Sequence, residues 1–264
     1  MSEPGAHEAI QGIAVSERRI AALEAQVVCL SSQAILTTPA VAAMLAAGHY
    51  AAAAVQLQLS VEAGHLPSRA LLAWLFLNGR EGIAKNPHTA LELVEEGARL
   101  DCHHCQGVMA YCLWTKMFDV TPAGLIQIED SPPPRVREMA LASSTRGSAY
   151  GQFVLGILEE DAEAALAFFR LAAEQHLDAA QFALGKTVYE GGHCLPSQHA
   201  EALRWFQLAA AQGHSDSLFA VGLMHELGHG VPADITEAIR WYSRAAAAGH
   251  LRAAHCVRKL QNVQ

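Results

Sequence analysis

The stretch from Gly213 to Gly249, GHSDSLFAVGLMHELGHGVPADITEAIRWYSRAAAAG, holds two apolar stripes separated by a glycine-rich break. In the first half Ser217, Val221 and His225 recur every fourth residue, so they share one face of a helix, here called helix A. Gly222 on that helix admits a partner helix closer than any larger side chain would. Gly228 and Gly230 supply unhindered backbone for a turn, and Pro232 with Asp234 prepares a new helix start. In the second half, helix B, Ala238, Trp241, Ala245 and Ala246 return at three- and four-residue spacing, placing a large ring among small side chains. Gly249 closes it. The unit is a helix pair that must bury its apolar faces against neighbouring pairs.

Those neighbours are present. Trp205-Phe206, Ala209-Ala210 and Gly213 recur 36 residues later as Trp241-Tyr242, Ala245-Ala246 and Gly249. The earlier unit reads Ala180, Leu184-Gly185, Tyr189, Gly192, Leu195, Ala202 and then those rings. Upstream, Gly151, Leu155-Gly156, Ala165, Phe168-Phe169 and Ala172-Ala173 keep the pattern with a short acidic link from Glu159 to Glu163 in place of the glycine turn. Ser68, Leu72-Ala73, Phe76, Gly79, Asn86, Ala90 and Leu93 form another unit, and Cys105, Met109-Ala110 and Leu113 begin a degenerate one. Gly48-His49-Tyr50 followed by alanines reads as a plain tetratricopeptide turn that opens the array. The expected organisation is an N-terminal amphipathic helix or cap over 1–38, an all-α solenoid of five to six helix pairs over 39–257, and a tail over 258–264. Between Trp114 and Arg135 the pattern lapses, and the triple proline at 132–134 marks an insertion at about 115–135.

Composition supports a helical solenoid and narrows its partners. The 264 residues are 52% apolar but only 6% aromatic, with abundant Ala, which favours close-packed helices over strands. A formal charge of −8 leaves no basic footprint for nucleic acid or an anionic membrane. The N-terminus lacks the basic head and apolar core of a secretory signal, and no apolar run approaches the ~20 residues of a membrane span. Residence in the cytoplasm is the expectation. The six cysteines follow no repeat spacing and read as reduced thiols.

These landmarks resemble the Sel-one-like repeat (SLR) family, a relative of the tetratricopeptide repeat, over roughly Ala40 to Val257. His225 stands where that family has Tyr, and Cys194 where it has a turn Gly. The resemblance implies a right-handed solenoid serving as an adaptor or scaffold, with a protein or peptide client and no chemistry or cofactor of its own. A regulatory or neutralising subunit dedicated to one enzyme is the alternative of the same architecture.

Two motifs could carry chemistry instead. His225-Glu226-Leu227-Gly228-His229 matches the H-E-x-x-H of zinc hydrolases, in which two His one turn apart hold the metal and Glu activates water. That geometry needs an unbroken helix, whereas the repeat register puts Gly228 in a terminating turn, so no metal site is expected. Cys102-His103-His104-Cys105, with Cys112 beyond, is half of many zinc or redox sites. Its second half is missing, and Cys105 falls where the repeat packs a small residue. His176, His193, His214 and His250, beside the inter-unit glycines, read as solvated caps.

Trp205 and Trp241 are expected in the helix-B core. The groove, by analogy with tetratricopeptide repeats, should be lined by helix-A residues around each Leu-Gly pair. Two before the pair stand Phe153, Phe182 and Phe219; just after it stand Trp74, Tyr111, Ile157, Lys186 and Leu223. Trp114 and Glu226 lie further along, and Tyr150 extends the stripe. Trp74, Tyr111 and Trp114 are the expected anchors, and a client with a basic residue would suit Glu226.

Overall fold

The computed structural model describes residues 39–115, 118–121, 124–127, 134–191 and 196–261. The expected N-terminal helix or cap lies outside them, as do His193 and Cys194. The first helix pair is α1 (Pro39–Ala46) and α2 (Tyr50–Glu62), followed by α3 (Leu66–Asn78) with α4 (Pro87–Arg99). Next come α5 (His103–Thr115) and α6 (Pro134–Thr145), then α7 (Ala149–Leu158) with α8 (Ala162–Glu174). The last pairs are α9 (Asp178–Gly191) with α10 (Pro196–Ala211) and α11 (Ser215–Leu227) with α12 (Ile235–Ala247). A closing helix, α13 (Ala253–Gln261), runs on through part of the stretch read as a tail. Consecutive helices pack against each other, and the A helices α3, α5 and α7 also touch in series. None of the described helices is long and apolar enough to cross a membrane.

The insertion is not featureless. Phe118–Thr121 (β1) pairs antiparallel with Gly124–Gln127 (β2). Phe118, Val120, Thr121 and Ile126 are residues that favour extended backbone, a local preference the proline run overshadowed in the sequence. Pro134 then opens α6 at a position where a missing N–H costs nothing, so the degenerate unit is a complete pair interrupted by a hairpin.

The last three pairs are clamped where a glycine of helix A meets a ring of helix B. A Cβ on Gly222 would lie 2.8 Å from the Tyr242 ring, one on Gly185 2.9 Å from Phe206, and one on Gly156 2.6 Å from Phe169. Helix starts are capped as the sequence signals: Asp161 accepts from Ala164 N–H at 3.0 Å, Asp234 from Glu237 N–H at 3.0 Å, and Asn86 from Thr89 N–H at 3.1 Å.

One core assignment is corrected. The fully buried rings are Phe206 and Tyr242, not the tryptophans before them; Trp205 and Trp241 are half-buried at the margin of the core. Trp241 carries the Arg244 guanidinium over its face at 4.4 Å. Adjacent residues on a helix sit about 100° apart, so both satisfy the stripe, and the glycine contact selects the second. Phe206→Ala should therefore cost about 3–5 kcal/mol in denaturant unfolding and Trp205→Ala clearly less. A larger loss at Trp205 would contradict this packing.

Candidate functional site

The inward face of the A helices does not stand open where the sequence places its aromatic anchors. Trp74 on α3 is only 3% exposed. Its ring packs on Tyr111 of α5 at 5.0 Å and on Tyr150 and Phe153 of α7 at 5.2 and 6.1 Å. Tyr111 in turn meets Trp114 and Phe153, both at 5.9 Å. Trp74, Tyr111, Trp114, Tyr150 and Phe153 are thus brought together as expected, but as one packed cluster, with Trp74, Tyr150 and Phe153 buried and Tyr111 and Trp114 half-buried.

The reason is a contact across the superhelix. The Trp74 indole N–H donates to Asp178 Oδ1 at 3.1 Å, joining residues 104 apart in sequence. The other carboxylate oxygen pairs with the Arg80 guanidinium, and the two charged side chains are 6% and 7% exposed. With the adjacent Ala179 N–H, which donates to Oδ1 at 2.9 Å, three donors hold one buried carboxylate at the start of α9, and the turn after α3 is fastened to a unit three pairs further on. Neither residue was legible as a site. Asp178 sits in the first turn of its helix, where an acid needs no further explanation, and Arg80 sits in an ordinary turn.

Closure leaves a cleft of about 540 Å³ between α1 to α3 on one side and α9 with α10 on the other. Leu45, Leu71 and Leu208 give it apolar walls, and Tyr50, Trp74, Tyr150, Arg80 and Asp178 also line it. Gln212 donates to Gln181 Oε1 at 2.8 Å along the α9 and α10 wall, and Gln181 donates to the Ala173 carbonyl at 3.3 Å.

The remaining sequence candidates are dispersed. Phe182 contacts Phe206 at 5.7 Å and His214 at 4.9 Å, while Phe219 contacts Tyr242 at 5.1 Å and stacks on His250 at 4.2 Å. Both rings join one unit to the next. Ile157 and Leu223 are half-buried, and the exposed Lys186 pairs with Glu190 at 3.9 Å. Glu226 accepts the Tyr242 hydroxyl at 2.6 Å, so it is engaged inside its own repeat.

The HELGH stretch is divided by its glycine. α11 ends at Leu227, and Gly228 takes the left-handed conformation at φ 72°. His229 then turns away to the Tyr189 hydroxyl at 2.8 Å and stacks on His199 at 4.4 Å, so it does not share a helical face with His225. Among the described residues no group of three or more His, Cys, Asp or Glu could hold a metal ion.

The helix pairs coincide with a known repeat. The Sel1 repeat model matches residues 67–102, 146–177, 178–214 and 215–250, more than half of the chain. This chain belongs to the Sel1 repeat family. The matched segments are the α3/α4, α7/α8, α9/α10 and α11/α12 pairs; the hairpin-interrupted α5/α6 pair is unmatched. Among curated proteins, none matches. A Sel1 repeat protein of Oxalobacter formigenes superposes with a TM-score of 0.51 at 16% identity, over 78% of this chain and 86% of its own. A protective antigen of uropathogenic Escherichia coli with an SLR fold gives 0.49 at 24% identity, over 75% of this chain but only 42% of the antigen. An immunity protein of Pseudomonas aeruginosa gives 0.47 at 18% identity, over 80% of this chain and 83% of that one. The likeness to the Oxalobacter protein is one of fold.

Two histidines of this Sel1 chain couple its stability to pH. His104 is buried and pairs with Ser148 Oγ at 3.2 Å, and His214 caps α11 by accepting from Ser217 N–H at 3.2 Å. Burial is the main cause that pushes them down to about 3 and about 4, so His214 is a half-buried cap rather than a solvated one. The folded state favours the neutral rings, while the unfolded chain takes up protons near the ordinary value of 6.5. Their stabilising effect is complete above that value and is lost as pH falls from it, toward about 4 for His214 and about 3 for His104. Urea unfolding should show lower stability at pH 5 than at pH 7.5, with a smaller difference in His104→Gln/His214→Asn; an equal difference in that variant would contradict the assignment.

Proposed function

We propose that this Sel1-repeat chain is a non-catalytic protein-binding module, and that its client inserts a segment with apolar side chains into the cleft between the first three helices and α9 with α10. Sel1 repeat proteins usually mediate protein-protein interaction, which supports the class of function. The observation that carries the location is the cleft itself: apolar walls, aromatic side chains lining it, and an amide ladder along one side that can align a peptide. This moves the contact away from Trp74, whose ring is committed to packing, toward residues that a partner can reach. An adaptor role in the cytoplasm accords with the buried, unbridged thiols of Cys102 and Cys105.

Leu208 and Leu171 provide a matched test. They are 45% and 46% exposed, but only Leu208 lines the cleft. A photo-crosslinking amino acid at position 208 should capture the client and one at 171 should not. Leu208→Arg should weaken client binding by about 2 kcal/mol or more with the melting temperature unchanged, and Leu171→Arg should be neutral. Capture and loss of binding at 171 instead would move the interface to the outer face of the B helices.

A further inference from the structure

The junctions between helix pairs share one backbone device. Two residues before α3, α7 and α11 stand Gly64, Gly147 and Gly213, at φ 86°, 86° and 75°. The chain turns there through the left-handed region, which glycine enters without steric cost. The same place before α5 and α9 is held by Asp101 at φ 59° and His176 at φ 62°. Each of these two side chains sits there against a backbone preference.

Asp101 is accounted for inside the fold. Its carboxylate accepts from Arg146 at 2.8 Å and from Gln106 Nε2 at 3.1 Å, and Asp is among the residues that tolerate this conformation. His176 has no such role. Among the described residues its exposed ring makes no hydrogen bond, ion pair or ring contact. Nor is it the helix cap read from the sequence: the residue before α9 is Leu177, whose carbonyl accepts the first helical bond from Gln181 N–H at 2.9 Å. What the ring does is line the cleft.

The other polar groups there are engaged with one another. Asp178 is the single carboxylate among the lining residues, and Arg80 is paired with it. Gln175 donates to Gln152 Oε1 at 2.7 Å, and Gln212 to Gln181 Oε1 at 2.8 Å. An acidic group entering the cleft therefore meets no uncompensated negative charge in its lining, and His176 offers it an N–H in either protonation state.

We propose that His176 is the specificity-determining residue of the cleft, selecting client segments that carry a side-chain carboxylate beside their apolar side chains. This rests on the reading of the cleft as the client site. The charge selected is opposite to the basic residue expected from Glu226, which is engaged by the Tyr242 hydroxyl.

The test uses the full chain, with a displayed library of random short peptides as the probe. Peptides selected on the wild-type chain and lost on Leu208→Arg should carry Asp or Glu next to apolar residues. His176→Gly should bind such a peptide about tenfold more weakly, with a melting temperature no lower than wild type because glycine suits the backbone there. Changing the peptide's acid to its amide should weaken binding to the wild-type chain by a similar factor and leave binding to His176→Gly unaltered, since both changes remove the same contact. Leu208-dependent peptides that lack an acid, or that His176→Gly holds equally well, overturn this inference and leave the cleft reading standing. A fall in the melting temperature of His176→Gly assigns the side chain to the fold and overturns it as well. If no peptide depends on Leu208, the cleft reading itself fails, and this inference with it.

Discussion

The close approach of a helix-A glycine to a helix-B ring is the contact on which this solenoid depends. At Gly156, Gly185 and Gly222 the ring occupies the volume a side chain would need, so helix A and helix B approach without a gap. The pair thus built is stiff enough that its apolar remainder is presented to the next pair in a fixed orientation. Phe182 and Phe219 then complete the junctions by packing on the histidines that open the following units. Local packing is in this way converted into superhelical curvature.

Curvature brings about the second constraint. After three pairs the chain has turned far enough for the start of α9 to reach α3, where Asp178 receives both the Trp74 indole and the Arg80 guanidinium. A buried carboxylate held in this way tolerates little displacement, because opening the contact leaves a charge unpaired away from water. What would be an open groove in a gently curved array is therefore divided into a packed aromatic centre and a walled cleft. The same feature explains why the aromatic stripe along the A helices is packed rather than open at Trp74, Tyr150 and Phe153.

Much of this was legible from the residues. The 36-residue spacing, the turn glycines and the helix start at Asp234 each follow from local backbone requirements, and the structure places them as read. Gly228 separates His225 from His229 for the same local reason. Legibility stopped where two arrangements satisfy one period, as with Trp241 and Tyr242, both on a three- and four-residue stripe. It stopped also where the contact spans many units: nothing local to Asp178 marks Trp74 as its partner. The α5/α6 pair was obscured because a hairpin stands where a turn was sought.

The central claim is that the superhelix is closed by the Trp74 and Asp178 contact, and the indole hydrogen of Trp74 reports on it directly. Measured by NMR in deuterated buffer, its exchange should be as slow as that of the most protected amides of α9, since release requires unfolding of the array. Exchange as rapid as that of the half-buried Trp241 indole, with the α9 amides still protected, would mean that the contact opens without unfolding and that the concave face is an open groove.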